Sequence, residues 1–105
     1  MKLVHNKKQI TLCECKSFFS RFKGFMFTKE IKQALLFNHC NSIHTFFMIT
    51  NIDVILCDRE NKVLFFYNNL GKNKIIWPKK KVFKVIELPV NYFDIKIGDY
   101  INIEK

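Results

Sequence analysis

The segment SIHTFFMITNIDVILCD, residues 42–58, places polar side chains inside an otherwise apolar run. These side chains belong to His44, Thr45 and Asp53. An unpaired polar group in apolar surroundings costs roughly 1–3 kcal/mol, so each of them must be hydrogen-bonded or must face a ligand. The segment therefore predicts buried strand structure that carries either a structural polar cluster or a functional site.

Short apolar and alternating runs on both sides of this segment predict further strands. Asp58-Arg59-Glu60-Asn61 is typical of a hairpin connection, since Asp and Asn adopt turn conformations readily. Gly98-Asp99 predicts a tight turn before the last strand. The predicted strands are 8–15, 34–37, 42–48, 53–57, 62–67, 81–88 and 100–103.

Two short helical elements complete the expected fold. Ser17 can cap a helix over residues 17–23 that Gly24 ends, and Pro89 can open a helical turn that continues to Asp94. No long amphipathic helix is available to support parallel crossovers. We therefore expect a mainly β (α+β) fold: one domain, residues 1–105, with a small antiparallel, partly closed barrel-like sheet and one or two short helices.

The composition is that of a globular domain with its own core. Among 105 residues 49% are hydrophobic, and twelve are Phe, which is enough apolar volume for one core. The apolar runs are far shorter than the roughly 18–20 residues of a membrane span. The N-terminal residues lack the apolar stretch of a signal peptide, so we expect a cytoplasmic protein.

Four cysteines raise the question of disulfides or a metal. A cytoplasmic location and an adequate core favour reduced thiols. Structural zinc sites usually separate paired cysteines by two to four residues, whereas Cys13 and Cys15 have one residue between them. His39, Cys40 and His44 are the other candidate ligands, and we expect neither a metal nor a cofactor.

The whole chain has a formal net charge of +9, and several of its lysines cluster between residues 72 and 84. A basic patch with an exposed aromatic residue, here Trp77, is typical of surfaces that bind nucleic acid or another polyanion. Solvated loop lysines are the alternative explanation. The patch comprises Lys72, Lys74, Lys79, Lys80, Lys81 and Lys84.

A family resemblance emerges from six motifs that occur in order along nearly the whole chain. They are GFMF at 24–27, ALLF at 34–37, CNSIHTF at 40–46, IDV at 52–54, IELP at 86–89 and GD at 98–99. In this order and spacing the chain resembles the prokaryotic family called domain of unknown function 192. The resemblance implies a compact, mainly β fold with short helices, and it implies no established reaction, substrate or cofactor.

Three positions depart from the pattern of that family. Thr28 stands where typical members have Arg, Phe47 where they have Gly, and Asn51 where they have Pro. Glycine is needed where the backbone adopts a positive φ or approaches another group closely, so Phe47 is expected to fill space at that point. Loss of the Arg removes a bidentate anion-binding group, and a family function that depended on these positions would be narrowed or lost.

Three interpretations of the polar residues stay open. As an enzyme site, His44 would be a general base oriented by Asp53, with Thr45 or Cys40 as nucleophile or substrate contact. As a binding module, the polar groups would lie at the rim of an apolar pocket lined by Met26, Phe37, Phe46 and Met48. As a structural cluster, His44, Thr45 and Asp53 would bond to each other and to turn backbone.

The function expected from the sequence is that of a small non-enzymatic ligand-binding or accessory protein. Its partner would be an unknown small ligand or another protein. The first alternative is polyanion or nucleic-acid binding through the lysine patch, and the second is a small hydrolase-like or acid/base site around His44 and Asp53.

Overall fold

The structure is a computed structural model, and residues 1–17 and 24–105 of it are described. Within these two ranges the regular structure consists of strands, and no helix forms. The described residues therefore contain no helix that is long and apolar enough to cross a membrane. The strands are β1 (Lys2–His5), β2 (Lys8–Glu14), β3 (Ala34–Asn38), β4 (Ile43–His44), β5 (Ile52–Cys57), β6 (Val63–Leu70), β7 (Ile75–Ile76), β8 (Lys84–Pro89) and β9 (Asn102–Glu104).

Seven of the strands form one sheet in the order β6-β5-β8-β3-β2-β1-β9, and β4 pairs with β7 in a separate ribbon. The large sheet curls, so that the start of β6 meets the segment before β9. Val63 N–H donates to Asp99 O over 2.8 Å, and Ile101 N–H donates to Asn61 O over 3.0 Å. The fold is mainly β, with a curled half-barrel sheet of seven strands.

One strand pair corrects the expectation of an antiparallel sheet. β2 and β3 run parallel, with Leu12 opposite Ala34 and Glu14 opposite Leu36. The connection between them is long enough for a crossover, which needs about a dozen residues or more. The predicted helix over residues 17–23 falls in this connection and, apart from Ser17, lies outside the described residues.

The helical turn predicted after Pro89 is wrong. β8 continues through Pro89, and a turn follows in which Asn91 has a φ of 62°. A residue in the left-handed region cannot continue a right-handed helix, and Asn tolerates that region better than most residues. The segment up to Asp94 is consequently irregular.

The hairpin around Asp58 is confirmed. β5 and β6 are antiparallel, and the Asp58 carboxylate accepts the N–H groups of Glu60 and Lys62 over 2.9 and 3.0 Å. Asn61 occupies the left-handed region with a φ of 66°.

Other strands differ from the prediction. The predicted strand 42–48 shortens to β4, since the chain turns at Phe46, and β1 and β7 were not predicted.

Two hydrophobic clusters lie on opposite faces of the sheet. Alternate residues of β5 contribute to each, with Ile55 on one face and Val54 and Leu56 on the other. Every residue of β5 is buried. The ribbon and the loops around it cover the second face. The exposed side chains of β4, β7 and the loop 45–51 therefore lie on the outside of this layer.

Candidate functional site

Thr45 is a fully buried residue that fastens the loop 71–74 to the end of β4. Its hydroxyl donates to Gly71 O over 2.7 Å and accepts the Lys74 N–H over 2.8 Å. Its own N–H donates to Lys74 O over 2.9 Å, and its carbonyl accepts the Asn73 N–H over 3.1 Å. The side chain thus has internal partners for both of its hydrogen-bonding roles, as the structural interpretation requires.

Asp53 is also buried and uses both carboxylate oxygens. Oδ1 accepts the Asn68 side-chain amide and the Asn69 N–H, each over 2.8 Å, and Oδ2 accepts the Asn91 N–H over 2.8 Å. The Asn69 and Asn91 backbones are both in the left-handed region. The carboxylate therefore joins the irregular end of β6 to the turn after β8.

His44 is half-buried at the end of β4 and belongs to a different neighbourhood. Its Nδ1 accepts the Phe46 N–H over 3.2 Å, and its ring stacks on Phe46 with centroids 5.2 Å apart. None of the three Asp53 bonds involves His44. The acid/base arrangement of His44 with Asp53 accordingly gains no support from these bonds and stays a prediction.

The residues expected to line an apolar pocket divide into two groups. Met26, Phe37 and Met48 are buried and occupy the core, whereas Phe46 is exposed. The Cys40 thiol donates to Ser42 O over 3.1 Å. The expected lining residues are thus divided between the core and the surface. An open groove lies beside His44 and Phe46.

This groove, which we call the Trp77 groove, has a volume of about 320 Å³. Residues of both ribbon strands, β4 and β7, line it together with Trp77, which is 69% exposed. Phe46 and Ile75 are exposed as well. The residues that line the groove are Ser42, Ile43, His44, Phe46, Ile75, Ile76, Trp77 and Pro78.

Two phenylalanines stand out because of their backbone. Phe27 and Phe47 both have a φ of 62°, yet their rings are 64% and 60% exposed and stack with centroids 5.7 Å apart. A left-handed residue other than Gly costs roughly 1–2 kcal/mol, and a bulky one in this region is uncommon. Together with the exposed Ile49, which follows Phe47 by two residues, they form an apolar surface that we call the Phe tip.

The departures from the family pattern can now be placed. Phe47 was expected to fill space at its position, but it has a left-handed backbone and is 60% exposed. The Thr28 carbonyl accepts the Thr50 hydroxyl over 3.1 Å, and the Asn51 amide donates to the Asn69 side chain over 2.9 Å. These two positions hold neighbouring loops together.

The lysine patch is distributed over two ends of the fold. Lys72 and Lys74 lie in the loop that Thr45 fastens, whereas Lys81 lies beside Asp58 and Glu60 at the opposite end of β5. The remaining members are the exposed Lys80, Lys79 with its ammonium 4.9 Å from the Phe65 ring centroid, and Lys84, which donates to the Asn61 side chain.

Glu87 is a buried polar residue that the sequence did not single out as a site candidate. Its signal was a carboxylate between Ile86 and Leu88 in an apolar strand. Burial raises the pKa of the Glu87 carboxyl to about 8, while the N–H of Phe25 bonds to it and acts in the opposite direction. Oε1 has no hydrogen-bond partner in the described part of the chain, and a Cβ on Gly24 would lie 3.1 Å from it.

Within residues 1–17 and 24–105 there is no group of three or more His, Cys, Asp or Glu side chains that could hold a metal ion. Cys13 is exposed and Cys15 is buried, so the two do not share an environment. Burial raises the pKa of the Cys57 thiol to about 12, which makes it a poor nucleophile at neutral pH.

Comparison with known sequences gives a consistent result. The family model DUF192, described as "Uncharacterized ACR", matches residues 1–103. A UPF0127 protein of Thermococcus gammatolerans is 37% identical over 95 residues, which are 82% of this chain and 61% of the relative. A UPF0127 protein of Thermococcus kodakarensis is 36% identical over 95 residues, 82% and 60% of the two chains. The chain thus spans about three fifths of the length of these curated relatives.

Two solved structures share the fold. A protein of unknown function from Novosphingobium aromaticivorans superimposes with a TM-score of 0.79 at 14% identity, over 97% of this chain and 82% of the other. A Sinorhizobium meliloti protein, provisionally described as a transcription regulator, gives a TM-score of 0.79 at 15% identity, over 96% and 89%. At such low identity the likeness shows the fold alone.

The Asp53 carboxylate is expected to be a main determinant of stability. Asp53→Ala leaves three donors without their acceptor, so it should lower the free energy of unfolding by about 3 kcal/mol. His44→Ala, at a half-buried position on the ribbon, should cost under about 1 kcal/mol. Urea unfolding followed by circular dichroism measures both, and equal losses would contradict the assignment.

The Glu87 carboxyl should make stability fall as pH rises. Between pH 4.5 and about 8 the unfolded chain loses the proton while the folded chain keeps it. The free energy of unfolding should therefore drop by up to about 1.4 kcal/mol per pH unit in this window and level off above it. Glu87→Gln should remove the slope, and the exposed Glu60→Gln should retain it. Denaturant titrations across the window provide the test, and identical slopes for wild type and Glu87→Gln would refute it.

The left-handed backbone at position 47 should favour glycine over every other residue. Phe47→Gly relieves the strain that Phe47→Ala keeps, so the Gly variant should be more stable than the Ala variant by about 1 kcal/mol. Comparing these two variants removes the effect of losing the ring. If the Ala variant proves equally stable in urea, the conformation at this position is not left-handed.

Proposed function

Because the chain belongs to the DUF192 family of uncharacterised proteins, whose name carries no reaction, we propose a function from the site itself. The protein is a non-enzymatic binding module that takes an apolar, partly aromatic ligand in the Trp77 groove. The observation that carries this proposal is that Phe46, Ile75 and Trp77, three exposed apolar residues, line one groove.

The size and chemistry of the groove match a small ligand or a single large side chain of a partner. Ligand sites commonly occupy roughly 300–1,000 Å³ and are lined mainly by apolar and aromatic residues with a few polar groups. Here His44 and Ser42 supply the polar groups at the rim. Ligand rings can stack on Trp77, which is more exposed than Phe46 or Ile75.

A non-enzymatic role agrees with the bonding of the polar residues. The Thr45 hydroxyl and both Asp53 oxygens are occupied by backbone and amide partners. A nucleophile and a general base need to be within hydrogen-bond reach of each other and of a substrate. The residues that line the groove are instead mostly apolar, and Ser42 and His44 are the polar exceptions.

Polyanion binding through the lysines stays a prediction. Lys72 and Lys74 lie at one end of β5 and Lys81 at the other, separated by a six-residue strand, about 20 Å. A nucleic acid that used the whole set would have to follow this distance along the surface, and its affinity would fall steeply with salt.

The groove can be tested with 8-anilinonaphthalene-1-sulfonate, an aromatic fluorescent probe. Trp77 is the single tryptophan of the chain, so energy transfer from it reports binding nearby. We expect saturable binding with transfer from Trp77, and a several-fold weaker affinity after Phe46→Ser or Ile75→Ser.

The matched control is Ile97→Ser, which removes a side chain that is 70% exposed and does not line the groove. This variant should bind the probe as the wild type does. Unchanged affinity in both groove variants, or an equal loss in the control, would overturn the proposal. Near-ultraviolet circular dichroism verifies that each variant retains its packed core.

A further inference from the structure

Hydrogen bonds between two loops hold the backbone of the Phe tip in place. The Phe27 N–H donates to Phe47 O over 3.1 Å. The Thr50 hydroxyl bonds to the Thr28 and Lys29 carbonyls over 3.1 and 2.7 Å. Two distant segments of the chain are thereby fixed with both rings outward.

Exposed lysines lie in the segments next to this tip. Lys29 is exposed and follows Phe27 by two residues, while Lys72 and Lys74 are exposed in the loop bonded to Thr45. Among nearby carboxylates, Glu30 lies 3.9 Å from Lys32, and Asp53 is buried against its amide partners. Asp58 and Glu60 are at the far end of β5. The face is therefore apolar at its centre and basic at its rim.

We propose that the Phe tip and its flanking lysines dock on the surface of an anionic lipid bilayer. The rings of Phe27 and Phe47 and the side chain of Ile49 enter the interfacial layer. The ammonium groups of Lys29, Lys72 and Lys74 reach the lipid phosphates on their flexible stems. Charge complementarity identifies this occupant, since a chain with a net charge of +9 repels a second copy of itself.

The shape and chemistry of the tip favour a bilayer over other anionic partners. All three apolar residues are more than half exposed, so their side chains are available to enter an apolar layer. Ile49 is aliphatic and cannot stack on a nucleobase, whereas an acyl boundary accepts it. The Thr50 hydroxyl is used internally and adds no directional contact to the face.

This surface shares no residue with the Trp77 groove, so either proposal can fail while the other holds. The tip consists of Phe27, Phe47 and Ile49, and none of them lines the groove. A variant of the tip should consequently leave binding of the fluorescent probe to the groove unchanged.

The test is co-sedimentation of the purified chain with vesicles of phosphatidylcholine, with and without about one third phosphatidylglycerol. We expect binding to the anionic vesicles and little to the neutral ones. Phe47→Gly should weaken partitioning into the vesicles at least about tenfold. Because glycine adopts the left-handed conformation of position 47 readily, a folding defect would not explain this loss. The triple variant Lys29→Gln, Lys72→Gln, Lys74→Gln should also bind less, most clearly at low salt.

Ile97→Ser is again the control, because it removes an equally exposed side chain away from the tip. Its partitioning should equal that of the wild type. Absence of binding to anionic vesicles overturns the proposal, and so does binding that Phe47→Gly leaves intact, since lysines alone would then explain it. Tighter, Phe47-dependent binding to single-stranded DNA than to vesicles would assign the face to nucleic acid instead.

Discussion

The burial of β5 on both faces is the constraint on which the rest of the structure depends. A strand with six consecutive buried residues needs a layer on each side of its sheet. The curl of the sheet provides one layer, and the ribbon of β4 and β7 with its loops provides the other. Loops that serve as a layer bury their own peptide groups, so Thr45 and Asp53 bond to backbone that no neighbouring strand satisfies. The outside of that same covering carries both the Trp77 groove and the Phe tip.

Two buried carboxylates show how differently the same group can be accommodated. Asp53 accepts three hydrogen bonds, each 2.8 Å long, and joins segments up to 38 residues apart. Glu87 accepts the Phe25 N–H and leaves one oxygen without a partner in the described residues. Asp53 is a fastening that the fold requires. The incompletely bonded Glu87 carboxyl lowers the stability of the fold. Buried groups of that kind are more often retained for a role in the native state than for stability.

The sequence predicted the local features well and the long-range ones poorly. The turn at Asp58 and Asn61 was found because its own residues determine it. The need of Thr45 and Asp53 for partners was also correct, yet the partners lie 15 to 38 residues away in the chain and no local pattern names them. The parallel pair of β2 and β3 was missed for the same reason. At Phe47 the sequence predicted a ring that fills space, but the residue is exposed, because the direction of the ring depends on loops that the sequence alone does not position.

The pairing of the first strand with the last has a kinetic consequence. Leu3 lies opposite Ile103, so this edge of the sheet joins residues from the two ends of the chain. On a ribosome, β1 and β2 emerge before the other strands and can pair as a local hairpin, but β9 becomes available only after all of them. Until then the outer edge of β1 presents unpaired peptide groups, which neighbouring chains can also pair with. Non-local pairings of this kind slow folding, so the interval in which the nascent chain is vulnerable to aggregation is set by topology more than by stability.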